Sequence, residues 1–271
     1  RVSGMKSINK KGKNVMTKNF NGKLLAPPST NYKAKKNIKL NVHSYFLSLA
    51  HSDTSGYNVC PMANKVSRGE TSENKSSCSL VCVAKNGNGS YPNVINSRIN
   101  KTKRFFEDKD NFMNELVNEV HRAIEYSKFY GFVPTFRLNA YSDIKWENIK
   151  IKAFGNNTIF SLFPDVKFYD YTKLPNRITP ENYELTYSHW GNWETTNKQV
   201  KKYNVAMVFS SNRKENLPST WKNLPVVDGD INDLRTSEND GVNVVVGLRA
   251  KMSKKNILSE LNKPTSFLVH A

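Results

Sequence analysis

Six short β-rich runs constrain this chain more than any other feature. They span residues 135–140, 166–171, 183–188, 204–209, 224–228 and 242–248, with starts roughly 17 to 31 residues apart. Such gaps are too long for hairpins. They hold enough chain for short helices, expected at 145–153, 193–203 and 253–262. Strands alternating with helices build βα units on a parallel sheet. Residues 41–50 alternate well enough to add a strand upstream. The expected fold is therefore α/β: a partial or complete parallel βα barrel of the TIM type. A doubly wound open sheet is the competitor.

One long helix is written plainly. Within residues 107–130, Phe112, Leu116, Val120 and Ile124 recur at i+4, and Met113, Val117 and Ala123 widen the stripe. Gly131 is the expected stop. His121, beside the stripe, reads as structural. Fourteen Phe and twelve Tyr supply a core inside a polar coat, and one domain is expected over residues 41–271.

Charge divides the chain. Residues 1–40 hold eleven Lys or Arg and no acidic residue, and Pro27-Pro28 interrupts any helix there. This stretch reads as a flexible basic arm, and the Arg-Val-Ser-Gly before Met5 as an expression remnant. The net charge of +18 points to a polyanion, with nucleic acid bound through the arm as the first expectation. No apolar run approaches the ~20 residues that span a bilayer, and no signal sequence is visible. A cytoplasmic protein with no membrane partner is expected.

Every cysteine falls in one polar loop, residues 51–90: Cys60, Cys78 and Cys82, spaced C-x17-C-x3-C. In a reducing compartment, clustered thiols are more often ligands than bridges. Zinc would need a fourth ligand, with His43 and His51 as candidates, and no second short Cys pair is present. Three thiolates also suit a [4Fe–4S] cluster whose remaining iron takes a non-protein ligand. S-adenosylmethionine fills that role in radical enzymes built on βα barrels. Their C-x3-C-x2-C spacing differs from the one here. Unligated thiols are the third reading.

The strand ends carry the other candidates. Asp143, Asp170, Lys173, Asp228 and Asp230 are the expected acid–base groups. Asn139, Ser142, Ser188, Arg235, Arg249 and Lys251 are the expected cofactor-binding groups. In βα barrels the C-terminal strand ends converge on the active site, although polar residues there also cap helices. Asp228, Asp230 and Asp233 together would suit Mg²⁺ and a nuclease-like reaction. No phosphate-binding Gly-rich loop, esterase elbow or zinc-protease motif is present.

Read in order, C-P-x-A, C-x3-C-x-A, R-L-N-x-x-S-D, F-Y-D-Y-T-K, D-G-D-x-x-D-x-R and G-L-R-A-K resemble the gene-product-88-like family of phage and plasmid proteins. The motifs run from Cys60 to Lys251. The resemblance implies a phage-encoded protein in a bacterial host cell. It also implies likeness to a radical-enzyme-like barrel with a cysteine loop. Val83 and Met252 depart from the Tyr and Gly usual in that family. The functional expectation is an iron–sulfur, radical-S-adenosylmethionine-like protein acting on or near nucleic acid. The alternative is a non-enzymatic nucleic-acid-binding protein whose metal only orders the loop.

Overall fold

A computed structural model describes residues 20, 22–30, 32–62, 82–85, 87–211, 216–251, 254–262 and 266–270. Among these, ten strands form one mostly parallel sheet. The strands are β1 (Leu25–Ala26), β2 (Val42–Leu47), β3 (Val133–Arg137), β4 (Lys167–Thr172), β5 (Tyr183–Ser188), β6 (Asn204–Phe209), β7 (Thr220–Trp221), β8 (Leu224–Asp228), β9 (Val245–Arg249) and β10 (Leu268–Val269). Nine of them run in the order β1-β2-β3-β4-β5-β6-β9-β8-β7, and β10 pairs parallel with the end of β6, off this path. From β2 to β6 the strands lie in chain order and run parallel. Then β9 inserts between β6 and β8, both parallel to it. Antiparallel β1 and β7 form the two edges. The edges do not pair with each other, so the sheet is open and a closed barrel is not formed.

Two helices cover one face. The first, α2 (Pro92–Glu107), ends at Asp108, where α3 (Lys109–Phe129) begins. The expected stripe of α3 is buried, from Phe112 to Ile124. Gly131, with φ +75, turns the chain into β3. Alternate strand residues, among them Tyr45, Phe136, Phe168, Leu185 and Met207, form one main core on this face, where a shorter helix, Trp193–Val200, packs on β5 and β6. Sequence analysis missed α2 because two of its three buried side chains, Arg98 and Thr102, are polar and only Phe105 joins the core. Arg98 donates to the carbonyls of Ala84 and Gly89, and Thr102 Oγ1 accepts the Ala50 amide at 2.8 Å. The helix expected at 145–153 is instead two 3₁₀ turns, Trp146–Asn148 and Lys152–Phe154.

The opposite face is covered by chain rather than by long helices. A short helix, α1 (Tyr32–Asn37), lies over β2 and β4: Asn37 Nδ2 donates to Ser44 Oγ at 2.7 Å and to Tyr169 Oη at 3.3 Å. The segment after β8 crosses the same face, with Leu234 against Val42 and Tyr169. The described residues 20, 22–30 and 32–40 are therefore part of the folded body, which corrects the flexible-arm reading for them. The cause is Glu119 on α3. Its fully buried carboxylate accepts the amides of Lys23, Leu24 and Leu25, and Phe20, Leu24 and Leu25 pack beside it. The remainder of the proposed arm, residues 1–19, lies outside the described residues. No helix among the described residues is long and apolar enough to cross a membrane.

Candidate functional site

The second face of the sheet carries a cavity of about 210 Å³ at the C-terminal strand ends. Arg137 closes β3, Tyr171 lies on β4, Ser188 ends β5, Ala206 and Val208 come from β6, and Leu248 and Arg249 end β9. Lys36 enters from α1, Asp230, Asn232 and Asp233 from the crossing segment, and Val83 from the end of the cysteine loop. Of the residues expected from sequence, Ser188, Asp230, Asp233, Arg249 and Lys251 line this cavity.

Arg137, the first residue of the R-L-N-x-x-S-D motif, is the central buried group, although sequence analysis assigned it no role. Its guanidinium lies 4.8 Å from the Tyr171 ring centroid and 5.6 Å from that of Phe46. Nη1 donates to Asp233 Oδ2 at 2.8 Å, and Nε lies 3.7 Å from Asp170 Oδ1. Desolvation opposes its charge, but Asp233 leads the contacts that hold its pKa above the ordinary value.

The Asp228–Gly229–Asp230 turn is a second ionic knot. Arg249 Nη1 lies 2.9 Å from Asp228 and 3.5 Å from Asp230, and Lys251 Nζ lies 3.3 Å from Asp230. The Arg249 amide also donates to Asp230 at 2.9 Å, and Lys36 Nζ donates to the Asp230 carbonyl. Partial burial pushes Asp228 up, but its bonds from Arg249 and the Asp230 amide outweigh this and hold it below the usual range. These contacts correct the Mg²⁺ reading. Asp228 and Asp230 are neutralised by Arg249 and Lys251, and Asp233 by Arg137. Among the described residues no group of three His, Cys, Asp or Glu could hold a metal.

The other strand-end residues form a separate network, away from the cavity lining. Asn139 Oδ1 accepts Ser142 Oγ, the Ile144 amide and Trp146 Nε1 at 2.8–3.0 Å, so Asn139 and Ser142 shape their own loop. Asp143 accepts Thr172 Oγ1 and the Lys173 amide and pairs with Arg177 at 3.1 Å; burial still pushes its pKa up. Arg177, a buried cation that sequence analysis missed, also forks onto Glu147 at 2.9 and 2.6 Å. Asp170 accepts the Asn139 amide and the Tyr183 hydroxyl; burial raises its pKa to about 7 against these bonds and the pull of Arg137. Lys173 joins the two regions, donating to Ser188 Oγ at 2.8 Å and to the His189 carbonyl at 3.3 Å.

Arg235 is elsewhere, contrary to expectation. The crossing segment carries it to a second cavity of about 410 Å³ beside Glu184 and Asn204, at the opposite end of β5 and β6. There Nη1 faces Asp240 at 3.3 Å. The segment after β8 folds back over the sheet, so nearness in sequence to Asp230 does not carry over to space.

Cys60 and Cys82 are half-buried, and Cys78 lies outside the described residues. Cys60 Sγ lies 3.4 Å from the Ser52 amide, which donates to it, and 3.4 Å from the Tyr141 carbonyl. The Tyr141 ring lies 4.4 Å beneath the Arg98 guanidinium, which also bonds the Ala84 carbonyl just past Cys82. Tyr141 and Arg98 thus tie together the two flanks of the loop. His43 belongs to neither. It stacks on Phe132 at 3.8 Å near the start of β2, so it is not a fourth ligand. His51 is closer, within the fields of Lys85 and Arg98, and burial together with those charges lowers its pKa.

Fold and site define an α/β protein with a charged cavity at the C-terminal ends of an open, mostly parallel sheet, with Val83 just past Cys82 in its lining. The chain belongs to the Gene product 88 family, whose family model matches residues 9–262. No curated protein and no solved structure matches it.

Proposed function

We propose that the chain is a small-molecule-binding, radical-S-adenosylmethionine-like protein whose cysteines hold an iron–sulfur cluster beside the cavity. One observation carries this reading: Val83, next to Cys82, lines the cavity at the strand ends. The cysteine loop is also part of the connection that follows β2, the first strand of the parallel series. The chain-ordered run β2 to β6 supports reading the sheet as an opened βα barrel.

The donor set fits a cluster in its chemistry. Cys60 is half-buried and already accepts an amide N–H, the kind of contact that stabilises sulfur carrying negative charge. Cys60, Cys78 and Cys82 would hold the group. A cluster with three protein ligands supplies an iron site open to a bound small molecule. The protein contributes the cavity itself. Its apolar wall would pack against a ligand's body, and Arg137, Lys36 and Ser188 would orient it.

Iron and acid-labile sulfide should be measured on protein purified without oxygen. About four of each per chain are expected, falling with Cys60→Ser and Cys82→Ser. About one zinc per chain and no sulfide would instead make the loop structural. The net charge of +18 favours a second reading, a basic nucleic-acid-binding protein with a structural loop. Salt titration of DNA binding, with and without residues 1–19, tests it.

A further inference from the structure

The polar atoms facing the cavity are mostly donors. Arg137 Nη1 is taken by Asp233, and Nε is sealed against Asp170. Nη2 makes neither contact and is not among the sealed atoms, so it opens on the cavity that Arg137 lines. Ser188 Oγ accepts from Lys173 Nζ, which leaves its own proton to donate. Lys36 uses one of its three N–H donors on the Asp230 carbonyl. Asp230 is occupied by Arg249 and Lys251. Four basic side chains (Lys36, Arg137, Arg249 and Lys251) stand against two acidic ones in the lining. Val83, Ala206, Val208, Leu248 and Phe267 make an apolar wall, and Tyr171, Gly229 and Asn232 complete the lining.

We infer that this cavity binds a small carboxylic acid, with its carboxylate on Arg137 Nη2 and Ser188 and its apolar body against Val208, Leu248 and Phe267. The guanidinium is already desolvated and fixed between two rings, so little side-chain entropy remains to be lost on binding. A cavity of about 210 Å³ has room for a carboxylate and a body of a few carbons. The inference rests on reading this cavity as the ligand site, and not on the cysteines.

The test is calorimetric titration of the full chain with acetate, butyrate, hexanoate and octanoate. Hexan-1-ol and inorganic phosphate serve as comparisons. Affinity should rise about fourfold for each methylene until the cavity is full. Ser188→Ala should weaken hexanoate binding roughly 10-fold, the loss of one hydrogen bond to a charged group. Arg137→Lys should weaken it at least as much. Because Arg137 is also an ion-pair partner, Val208→Phe provides a variant that keeps every charge and fills the apolar wall. It should abolish hexanoate binding and leave acetate binding within about threefold.

Equal affinity for hexan-1-ol and hexanoate overturns the inference, as does phosphate binding without a response to any alkanoate. Hexanoate affinity unchanged by both Ser188→Ala and Val208→Phe overturns it too. Iron analysis keeps the two proposals apart. Alkanoate binding by protein without sulfide would sink the cluster and leave the carboxylate site standing. A cluster without alkanoate binding would do the reverse.

Discussion

Glu119→Gln should detach the segment that closes one edge of the sheet. The Glu119 side chain is fully buried on α3. Its carboxylate takes the Lys23 amide at 2.6 Å, the Leu24 amide at 3.1 Å on both oxygens, and the Leu25 amide at 2.8 Å. Glutamine has the same shape but only one accepting atom. Its NH₂ would face either the Lys23 or the Leu25 amide, donor against donor. A buried donor left unsatisfied costs about 1–3 kcal/mol, and hydrogen bonds to a charged group contribute about 1.5–3 kcal/mol each. Lys101, which donates to the Leu24 carbonyl at 3.0 Å, loses a neighbouring opposite charge as well. A net loss of about 3 kcal/mol is expected. With a urea slope of about 2–3 kcal/mol/M, the midpoint should fall by about 1 M. Native-state hydrogen exchange at residues 23–25 should accelerate before the core does. Gly22→Ala gives an independent check, because a Cβ there would sit 2.6 Å from the Leu25 carbonyl and 2.9 Å from Glu119 Oε2. If Glu119→Gln changed stability by less than about 0.5 kcal/mol, the ordinary range for surface changes, and exchange at 23–25 were unaltered, the carboxylate would not be what holds this segment.

Three further outcomes follow from the same structure. Arg177→Met should cost about 3–5 kcal/mol, because it strands Asp143 and Glu147 as buried, unpaired carboxylates; chemical denaturation reads it, and Asp143→Asn combined with Glu147→Gln should recover part of the loss. His189 is buried against Thr196, and desolvation, with Lys173 second, lowers its pKa from 6.5 to about 4. The unfolded chain therefore takes up this proton first, and wild type should lose about 1.4 kcal/mol per pH unit relative to His189→Asn as pH falls from 6.5 to 4; parallel curves of stability against pH would refute a buried neutral imidazole. Gly229→Ala should destabilise by about 1–3 kcal/mol and narrow the cavity, since its Cβ would lie 2.6 Å from Val246 Cγ1 and 2.9 Å from Leu248 Cδ2; thermal unfolding with and without hexanoate measures both effects.

Local pattern located the elements well where burial alternates. The runs at 183–188, 204–209 and 224–228 coincide with β5, β6 and β8. Pattern is silent on order, and the insertion of β9 between β6 and β8 depends on long-range pairing. It is equally silent where a buried helix face is mostly polar, as on α2, or where one distant carboxylate folds a basic segment, as Glu119 does for residues 23–25. At the site, Ser188, Asp230, Arg249 and Lys251 were legible as polar groups at strand ends. Arg137 stands in the R-L-N-x-x-S-D motif, but its burial is not legible there, because a charge inside a strand run reads as outward-facing and the segment that buries it lies about a hundred positions later in the chain.

The second face of the sheet would be more stable if it were apolar. Arg137, Asp233, Ser44 and Thr135 are buried between the sheet and the segments that cover it. Replacing such ionic layers by well-packed hydrophobic side chains is often neutral or stabilising by about 1–4 kcal/mol. Ser44 Oγ and Thr135 Oγ1 satisfy each other at 2.8 Å, and Asn37 adds a donor, so that part of the layer is closed. Arg137 is different, because its partners occupy Nη1 and flank Nε while the third nitrogen faces the cavity. A purely structural ion pair would gain from closing that last position, and Asn232 already lines the same cavity as a possible acceptor. Its amide oxygen instead accepts Arg235 Nη2 at 2.7 Å and the Leu234 amide at 3.0 Å. The crossing segment thus commits this neutral acceptor to Arg235 and not to Arg137. An Asn232→Asp variant would put a competing carboxylate in the lining, and it should weaken hexanoate binding without destabilising the fold if the open nitrogen serves a ligand.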